Sequence, residues 1–281
     1  MIDFVCYCPR LPREGETLHG YKFNTNFGGK GANQCVAAHK LGGNTTMIAR
    51  VGDDIWGDKY IQNFNELGVN CKYVKKTPNF SNGIAQISVA DSGANQIIIV
   101  AGANSQLSVS DIEEAKTVIE NADVLVCQLE TSPDVALYAM KLCKGLTILN
   151  GAPGLDKYNP DLITSPSIFC VNESEASVFC GIPVNTLHDA ETALQILLEK
   201  GCKCIILTMG SEGAVFVSQE KTTPIHIKSP KIECVDSTGA GDSFIGIQDF
   251  YVDNVSGSEM LYGIHVLNTY TQCRTNTRVY H

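Results

Sequence analysis

One glycine-rich stretch decides the fold that this sequence predicts: Asp236-Ser237-Thr238-Gly239-Ala240-Gly241-Asp242, which lies between an apolar strand and the apolar run 244–252. Its small residues allow backbone N–H groups to approach a phosphate at a helix N-terminus, where the helix dipole also favours negative charge. Asp242 opens that helix and can accept a proton. A phosphate cradle beside a carboxylate suits phosphoryl transfer to an alcohol, so the stretch predicts a kinase of a hydroxyl substrate. The alternative is a surface turn that leads into a helix with an acidic first turn.

Composition limits the classes of protein to consider. The chain has 281 residues, of which 44% are hydrophobic, so we expect one domain over residues 1–281 with room for a small appendage. The net charge of −9 disfavours a nucleic acid or an anionic membrane as partner, since either requires a clustered basic surface. No apolar run approaches the roughly 18 residues that span a bilayer, and no secretion signal is recognisable. The predicted localisation is cytoplasmic, with the nucleus as an alternative.

The cysteines and histidines give no sign of a zinc site or a catalytic triad. The twelve cysteines are scattered, and the closest pairs, Cys6 with Cys8 and Cys202 with Cys204, are too near in sequence for Cys-x-x-Cys spacing. The six histidines show no metal or triad spacing. We therefore interpret the cysteines that lie in apolar runs as reduced, small hydrophobic residues.

Short apolar runs alternate with segments of helical periodicity, which is typical of βαβ units around a parallel sheet. The predicted strands are 46–51, 124–128, 146–150, 168–171 and 204–208. Helical spacing of apolar residues predicts a helix with a buried face at Trp56, Tyr60, Phe64 and Leu67. Ser110 and Glu113 have the spacing of a capping box and predict a helix that begins there. The expected fold is α/β with three layers around a mostly parallel sheet.

Two segments interrupt this alternation. Residues 16–27 and 83–100 are predicted to be extended, and Asp91-Ser92-Gly93 is a turn signal within the second segment. A hairpin there, paired with the first segment, would form a small antiparallel sheet that stands off the α/β body. We expect this sheet, made of segments about 13–27 and 83–101, to act as a lid over a pocket.

A second glycine loop, Gly28-Gly29-Lys30-Gly31-Ala32-Asn33, precedes an apolar helical stretch. It supplies backbone donors, an ammonium group and an amide, which suit a polyhydroxylated ligand, with a flexible turn as the alternative. It is not a P-loop, because Lys30 is followed by Gly31 rather than Ser or Thr. Gly239 and Gly241 also fail the dinucleotide fingerprint, since Phe244 occupies the position of its third glycine.

Polar residues follow several of the predicted parallel strands, at the sheet edge where ligands bind in α/β proteins. Glu130 follows the strand at 124–128, and Asn172 with Glu175 follows the strand at 168–171. The latter two residues could organise a hydrated Mg²⁺ ion, or they could be an ordinary helix cap and first-turn acid. The turn Thr208-Met209-Gly210-Ser211-Glu212-Gly213 follows the strand at 204–208 and by itself indicates little.

Taken together, these residues resemble the ribokinase-like family of carbohydrate kinases, from Asp3 to about Phe250. The Lys-Gly-Ala-Asn form of the first glycine loop is closer to the ribose-phosphorylating members than to adenosine kinases or fructokinases, and a fructokinase is the alternative. The motifs that carry the resemblance, in family order, are Leu11-Pro12-x-x-Gly15-Glu16-Thr17, Gly28-Gly29-Lys30-Gly31-Ala32-Asn33-Gln34, Ala101-Gly102-Ala103-Asn104, Gln128-Leu129-Glu130, Asn172-Glu173-x-Glu175, Thr208-x-Gly210-x-x-Gly213 and Asp236-x-Thr238-Gly239-Ala240-Gly241-Asp242.

The resemblance implies ATP-dependent phosphorylation of the 5-hydroxyl of D-ribose, with Asp242 as general base and Gly239, Ala240 and Gly241 stabilising the transferring phosphoryl group. The residues implied to bind ribose are Asp3, Gly29, Lys30, Asn33, Glu130 and Asp242. The residues implied to lie near the nucleotide are Asn172, Thr208, Gly210, Ser211, Gly213 and Gly241. Glu175 would hold Mg²⁺ through water, Asp236 and Thr238 would belong to a K⁺ loop, and the lid would mediate a homodimer.

The sequence departs from the family pattern at both ends. Family members carry an apolar strand ahead of the position of Asp3, so we expect one strand of the central sheet to be missing. In the C-terminal segment, Thr275 and Val279 stand where the family has Gly and often Ser in its cation loop. These departures leave a competing hypothesis, namely an inactive or weakly active protein that keeps the sugar site.

Overall fold

The computed structural model describes residues 1–230 and 239–252 of the chain. Its strands are β1 (Ile2–Cys8), β2 (Lys22–Phe27), β3 (Thr46–Gly52), β4 (Asn70–Thr77), β5 (Ile84–Ala90), β6 (Asn95–Val100), β7 (Val124–Cys127), β8 (Leu146–Asn150), β9 (Ile168–Asn172), β10 (Cys204–Thr208), β11 (Ala214–Ser218) and β12 (Ile225–Ile227). Its α-helices are α1 (Lys30–Lys40), α2 (Ile55–Leu67), α3 (Val109–Glu114), α4 (Lys116–Glu120), α5 (Pro133–Leu142), α6 (Asp161–Thr164), α7 (Glu173–Cys180), α8 (Leu187–Glu199) and α9 (Ala240–Val252). Short 3-10 helices cover Gly102–Gln106 and Gly210–Glu212. Among these residues no helix is long and apolar enough to cross a membrane.

The largest sheet has six strands in the order β12-β11-β10-β9-β8-β7. Strands β7 to β10 are parallel, whereas β11 and β12 add antiparallel pairs at one end. Strands that are buried on both faces are continuous apolar runs, which is why the sequence pattern located them. All the strands predicted from apolar runs are present, and helix α2 is present where the aromatic spacing predicted it.

Helices cover both faces of this sheet. On one face Leu149, Phe169 and Leu207 pack against helices α7 and α8. On the other face Ile148 and Ile206 pack against the side of α9 that carries Phe244 and Ile245. Neighbouring residues of one strand thus belong to opposite layers. The arrangement is the three-layer α/β fold that the sequence predicts.

A second sheet has four strands in the order β2-β1-β5-β6. Strands β5 and β6 form a hairpin around the turn at Asp91, and β2 is the regular part of the extended segment 16–27. The prediction that these two pieces pair directly in an antiparallel sheet is wrong. Strand β1 lies between them, antiparallel to β2 and parallel to β5. Ile2 and Val5 are buried in this central position, whereas β6 exposes its apolar side chains at the sheet edge.

The helix predicted to begin at Ser110 begins earlier. Ser108 precedes α3, and its backbone N–H donates to the Asp111 carboxylate at 3.0 Å. Asp111 is buried and also accepts two hydrogen bonds from the Arg50 guanidinium, at 2.6 and 3.0 Å. Local sequence offers two similar capping patterns here. The ion pair with Arg50, which lies on β3, selects the one that contains Asp111.

No disulfide joins the cysteines of the described residues. Burial raises the pKa of Cys127 and Cys202 to about 12, so these thiols stay protonated near neutral pH. Cys170 and Cys202 lie within apolar clusters of the core. The structure thus agrees with the interpretation of these cysteines as small hydrophobic residues.

A cavity of about 460 Å³ separates strands β3 and β7. Strand β3 pairs only with β4, and β7 pairs only with β8, among the strands of the described part of the chain. Both strands line the cavity along their length, together with Met1 and the inner side of α1. The two sheets are therefore interrupted at the place where one further strand would join them.

We predict that an apolar, β-branched segment of about six residues, joined ahead of Met1, raises the melting temperature of the chain. Such a segment can pair with the edges of β3 and β7 that face the cavity, and each backbone group that gains a partner contributes roughly 0.5–1.5 kcal/mol. Differential scanning calorimetry of the extended and unextended chains measures the effect. A glycine- and serine-rich extension of equal length is the matched control. Equal melting temperatures for the two extended chains would show that the cavity does not accept a strand.

Candidate active site

The site begins where helices α1 and α9 cross in close contact. Gly246 lies at this crossing, and a Cβ atom there would come within 2.6 Å of the Gln34 carbonyl oxygen and 2.7 Å of the Ala37 Cβ. Any larger residue at 246 would therefore push the helices apart. The close crossing brings the first turn of α9 next to the first turn of α1.

The Asp242 carboxylate, in the first turn of α9, is held by two amides of α1. Asn33 Nδ2 donates to one carboxylate oxygen of Asp242 at 2.9 Å, and Gln34 Nε2 donates to the other at 2.9 Å. Asn33 and Asp242 are half-buried, whereas Gln34 is buried. An ionised carboxylate accepts hydrogen bonds only, which matches the two N–H donors that these amides direct at Asp242.

In the described part of the chain, the N-terminus of α9 has open space beside it that could receive an anion. Gly239 has φ 74°, a left-handed conformation that favours glycine, and its carbonyl accepts the first helical hydrogen bond, from Ser243 N–H at 2.9 Å. By helix geometry, the N–H groups of Ala240, Gly241 and Asp242 have no acceptor within the helix. Gly241 is exposed, and a Cβ there would meet no atom within 4 Å. Backbone donors and open space therefore coincide beside Asp242.

The Gly28–Asn33 loop is held against β1 and the end of β7. Tyr60 donates its hydroxyl to the Gly28 carbonyl at 2.6 Å, and Lys30 N–H donates to the Glu130 carboxylate at 2.8 Å. A Cβ on Gly28 would lie 2.2 Å from an Asp3 carboxylate oxygen, so only glycine allows the loop to approach Asp3 this closely. Gly29 has φ 98°, which also favours glycine.

Negative charge is concentrated around this loop. The pKa of Asp3 is raised from 3.8 to about 6, chiefly by burial; the nearby N-terminal amino group acts to lower it, and the carboxylates of Glu130 and Asp242 act to raise it. Burial likewise raises the pKa of Glu175, which the Lys30 ammonium lowers and Asp242 raises. Asp3, Lys30, Glu130, Glu175 and Asp242 thus influence one another across a single site.

Asn172 and Glu175 form a complete capping box at the start of α7. Asn172 Oδ1 accepts from the Glu175 N–H at 2.9 Å, and the Glu175 carboxylate accepts from the Asn172 N–H at 2.9 Å. Of the two roles considered for this pair, the helix cap with a first-turn acid is therefore the one that the ligand-free structure shows. Because the Glu175 carboxylate also accepts from Asn172 Nδ2 at 3.1 Å, it is oriented by its neighbour before any ligand arrives.

The residues expected near the nucleotide lie along the same sheet edge. Thr208 ends β10 directly beside Asn172 of β9. The following turn contains Gly210 with φ 49° and Gly213 with φ 100°, and Ser211 lies between them in the 3-10 helix. A Cβ on Gly210 would meet no atom within 4 Å, so the turn presents its backbone to open space.

Some predicted site residues lie outside the described residues, namely Asp236, Thr238, Thr275 and Val279. The expected assignment of Asp236 and Thr238 to a K⁺ loop remains a prediction.

The structure also places at the site two residues, Gln34 and Gln128, to which the sequence analysis assigned no function. Gln128 Nε2 donates to Gln34 Oε1 at 2.7 Å, behind the bond from Gln34 to Asp242. The available signal was the position of each glutamine within a site motif.

Comparison with known proteins identifies the class. The model of the pfkB family of carbohydrate kinases matches residues 1–247. The chain belongs to this family, whose members transfer a phosphoryl group to an alcohol group of their substrate.

Within this family, the chain is similar to several characterised sugar kinases. The chain is 42% identical to the ribokinase of Mus musculus, over 93% of this chain and 83% of that protein. It is 37% identical to a deoxyribokinase of Salmonella typhi, over 90% of this chain and 84% of that protein. Among solved structures, it resembles an Arabidopsis thaliana ribokinase complexed with ribose and ATP, with a TM-score of 0.85, 29% identity and coverage of 99% of this chain and 90% of that chain.

We predict that Asp3→Asn stabilises the ligand-free protein at neutral pH. The folded pKa of Asp3 is raised to about 6. Between about pH 4 and pH 6 the folded state therefore binds more protons than the unfolded state, and stability falls as pH rises. Above that window the charged Asp3 costs up to about 3 kcal/mol, which the neutral amide avoids.

Thermal melts from about pH 4 to pH 8 measure this effect. We expect the melting temperature of Asp3→Asn to exceed that of the original chain by several degrees at the alkaline end, with the gap closing at the acidic end. Asp156→Asn, at an exposed aspartate, is the matched control. A gap that is constant with pH would contradict the assignment of the raised pKa to Asp3.

Proposed function

We propose that this protein transfers the γ-phosphoryl group of ATP to the 5-hydroxyl of D-ribose, with Asp242 as the general base. The observation that carries the proposal is that the Asp242 carboxylate accepts hydrogen bonds from Asn33 and Gln34 and lies beside the N-terminus of α9, where the described residues leave open space. A base beside an anion site is the arrangement that phosphoryl transfer to an alcohol needs. The ribokinases among the relatives support ribose as the acceptor.

The sugar is proposed to bind between the Gly28–Asn33 loop, Asp3 and Glu130. Carboxylates accept hydrogen bonds from hydroxyl groups, while the Asn33 amide and Lys30 ammonium donate to hydroxyl oxygens. The Lys30 N–H is already committed to Glu130, which keeps the loop in place as the sugar binds. In this proposal Asp242 accepts the proton of the 5-hydroxyl as that oxygen attacks the γ-phosphorus and the bond from phosphorus to ADP breaks. The N–H groups of residues 239–241 then stabilise the charge on the transferring group.

The nucleotide is proposed to bind along the edge formed by Asn172, Thr208 and the turn at 210–213, with its phosphates directed to Gly241. Mg²⁺ would accompany the nucleotide. The described residues hold no cluster of three His, Cys, Asp or Glu side chains that could bind a metal by themselves. This suits a hydrated Mg²⁺ held mainly by phosphate, with Glu175 reaching it through water, because Mg²⁺ retains several waters in proteins. When bound, the ion would neutralise charge on the phosphates. A K⁺ requirement, through Asp236 and Thr238, is proposed from the family resemblance alone.

A homodimer through the four-stranded sheet is also proposed. Ile97, Ile98, Ile99 and Val100 of β6 are all about half exposed, and Phe23 of β2 is 61% exposed at the other edge. Exposed apolar side chains grouped along one edge strand, as on β6, are typical of interaction sites. Analytical ultracentrifugation distinguishes a dimer from a monomer.

A second candidate function is favoured by the cavity between β3 and β7. In this alternative the chain keeps the sugar site but turns over weakly or not at all, because β3 and β7, which border the cavity, are not joined by a strand among the described residues. A related sugar is a further alternative for the acceptor, since the Salmonella relative is a deoxyribokinase. A coupled assay of ADP release with ribose, deoxyribose, fructose and adenosine separates these possibilities. ADP release that does not depend on ribose would contradict the proposed function.

We predict that Asp242→Asn lowers turnover by about 10²- to 10⁴-fold while ribose binding survives, because the amide keeps the shape of the side chain and loses the base. Steady-state kinetics and calorimetry with ribose measure the two effects. Asp156→Asn removes a carboxylate at an exposed position and should leave both unchanged. Retention of more than about a tenth of the rate by Asp242→Asn would exclude the general-base role.

We predict that Lys30→Ala and Asn33→Ala weaken ribose binding much more than nucleotide binding. Each change removes a donor to a sugar hydroxyl and leaves part of the polar site unpaired, which costs roughly 1–3 kcal/mol. Calorimetry with ribose and with a non-hydrolysable ATP analogue separates the two ligands. Losses of equal size for both ligands would show that the Gly28–Asn33 loop is not the sugar site.

A further inference from the structure

Gln34 is a buried residue whose side-chain amide links Gln128 to Asp242 through two hydrogen bonds. Its side chain lies in the first turn of α1 and the residue is 2% exposed. A buried amide needs partners for both its donor and its acceptor group, since an unpaired polar group in the interior is costly. Gln34 Nε2 donates to Asp242 Oδ1 at 2.9 Å, and Gln34 Oε1 accepts from Gln128 Nε2 at 2.7 Å.

The chemistry of the carboxylate fixes the direction of this chain of hydrogen bonds. Ionised Asp242 can only accept, so the amide nitrogen of Gln34 must face it. The amide oxygen of Gln34 then faces Gln128, which must present its own nitrogen. The three side chains therefore have one consistent orientation, which runs from Gln128 just after β7 to the proposed base on α9.

We propose that Gln34 is a positioning residue for Asp242, and that Gln128 holds Gln34 in the orientation that allows this. The inference rests on the proposed function, in which Asp242 is the general base. Asn33 and Gln34 both donate to Asp242, but we assign them different roles. Asn33 is half-buried and lies on the Gly28–Asn33 loop, whereas Gln34 is buried behind it and donates its amide N–H to the proposed base. Loss of Gln34 should therefore lower kcat and leave ribose binding nearly unchanged.

Packing gives Gln34 little freedom to adopt another arrangement. Its backbone carbonyl faces Gly246 of α9 at the helix crossing, where no Cβ would fit. On the other side, Gln128 Oε1 lies 2.6 Å from the position of a Cβ on Gly31, so the absence of a side chain at 31 leaves room for the Gln128 amide. Two glycines thus make space for the bonds from Gln128 to Gln34 and from Gln34 to Asp242.

Gln34→Met is the principal test, because methionine has a similar length and no N–H donor. Loss of a hydrogen bond to a charged group predicts a decrease in kcat of roughly 10- to 100-fold. The KM for ribose and its calorimetric Kd should stay within about threefold, in contrast to Asn33→Ala. Gln62→Met is the matched control, since exposed Gln62 also donates its amide to a carboxylate, that of Glu66, at 2.8 Å.

Gln128→Met tests the second link. It should lower kcat less than Gln34→Met does, and the double variant should be no slower than Gln34→Met alone, because Gln128 acts through Gln34. Additive losses in the double variant would overturn this link. If Gln34→Met does not fold, as judged by its thermal melt, Gln128→Met still tests the proposal, since it keeps Gln34. An unchanged kcat in Gln128→Met would then contradict the proposal that Gln128 holds Gln34, and through it Asp242, in position.

The results distinguish this proposal from the proposed function. An unchanged kcat in Gln34→Met, or a fall in ribose affinity as large as the fall in kcat, would overturn the positioning role while the kinase activity stands. If the original chain shows no turnover with ribose, the proposed function fails, and the geometry is tested by crystal structures of the original chain and Gln34→Met. Rotation of the Asp242 carboxylate in the variant would support the positioning role, and an unmoved carboxylate would overturn it.

Discussion

The close crossing of helices α1 and α9 at Gly246 is the constraint on which the site depends. Phe244 and Ile245 bury their side chains against the large sheet, which fixes α9 from below. The carbonyl of Gln34 and the side chain of Ala37 fix it from the side of α1. Asp242 lies one helical turn before Gly246, so the same contact that packs the helices sets the distance from Asp242 to the amides of α1. Gly246 thus allows both the close packing of α1 against α9 and the placement of Asp242 next to the amides of Asn33 and Gln34.

The electrostatics of the site suit a ligand with several hydroxyl groups. Asp3, Glu130, Glu175 and Asp242 face a region in which Lys30 contributes positive charge. Without a ligand, ionisation of Asp3 is disfavoured chiefly by burial and also by the carboxylates of Glu130 and Asp242, and its pKa is raised to about 6. Hydroxyl groups donate hydrogen bonds to carboxylates and so stabilise their charged form. In the proposed function, a polyhydroxylated sugar bound at Asp3 would therefore relieve an electrostatic cost that the folded protein carries in its absence, and this would couple sugar binding to stability.

The parts of the fold that depend on local pattern could be predicted from the sequence. The strands β8 and β10 are predominantly apolar, and α2 follows the spacing of its aromatic residues, so burial and periodicity located them. The start of α3 could not be predicted, because it depends on an ion pair between Asp111 and Arg50. The place of β1 between β2 and β5 was missed for a similar reason, since strand order depends on which edges meet in three dimensions.

The same distinction applies to the site. Glycine loops and strand ends indicated which residues approach a ligand, because those features are local. The role of Gln34 could not be derived in this way, since it depends on the crossing of two helices that are far apart in the sequence. Gln128 and Gln34 also line the cavity between β3 and β7, as do Gly31 and Glu130. The floor of the site is therefore one wall of the cavity, and the pairing of β7 bears directly on how firmly Gln128, and through it Asp242, is held.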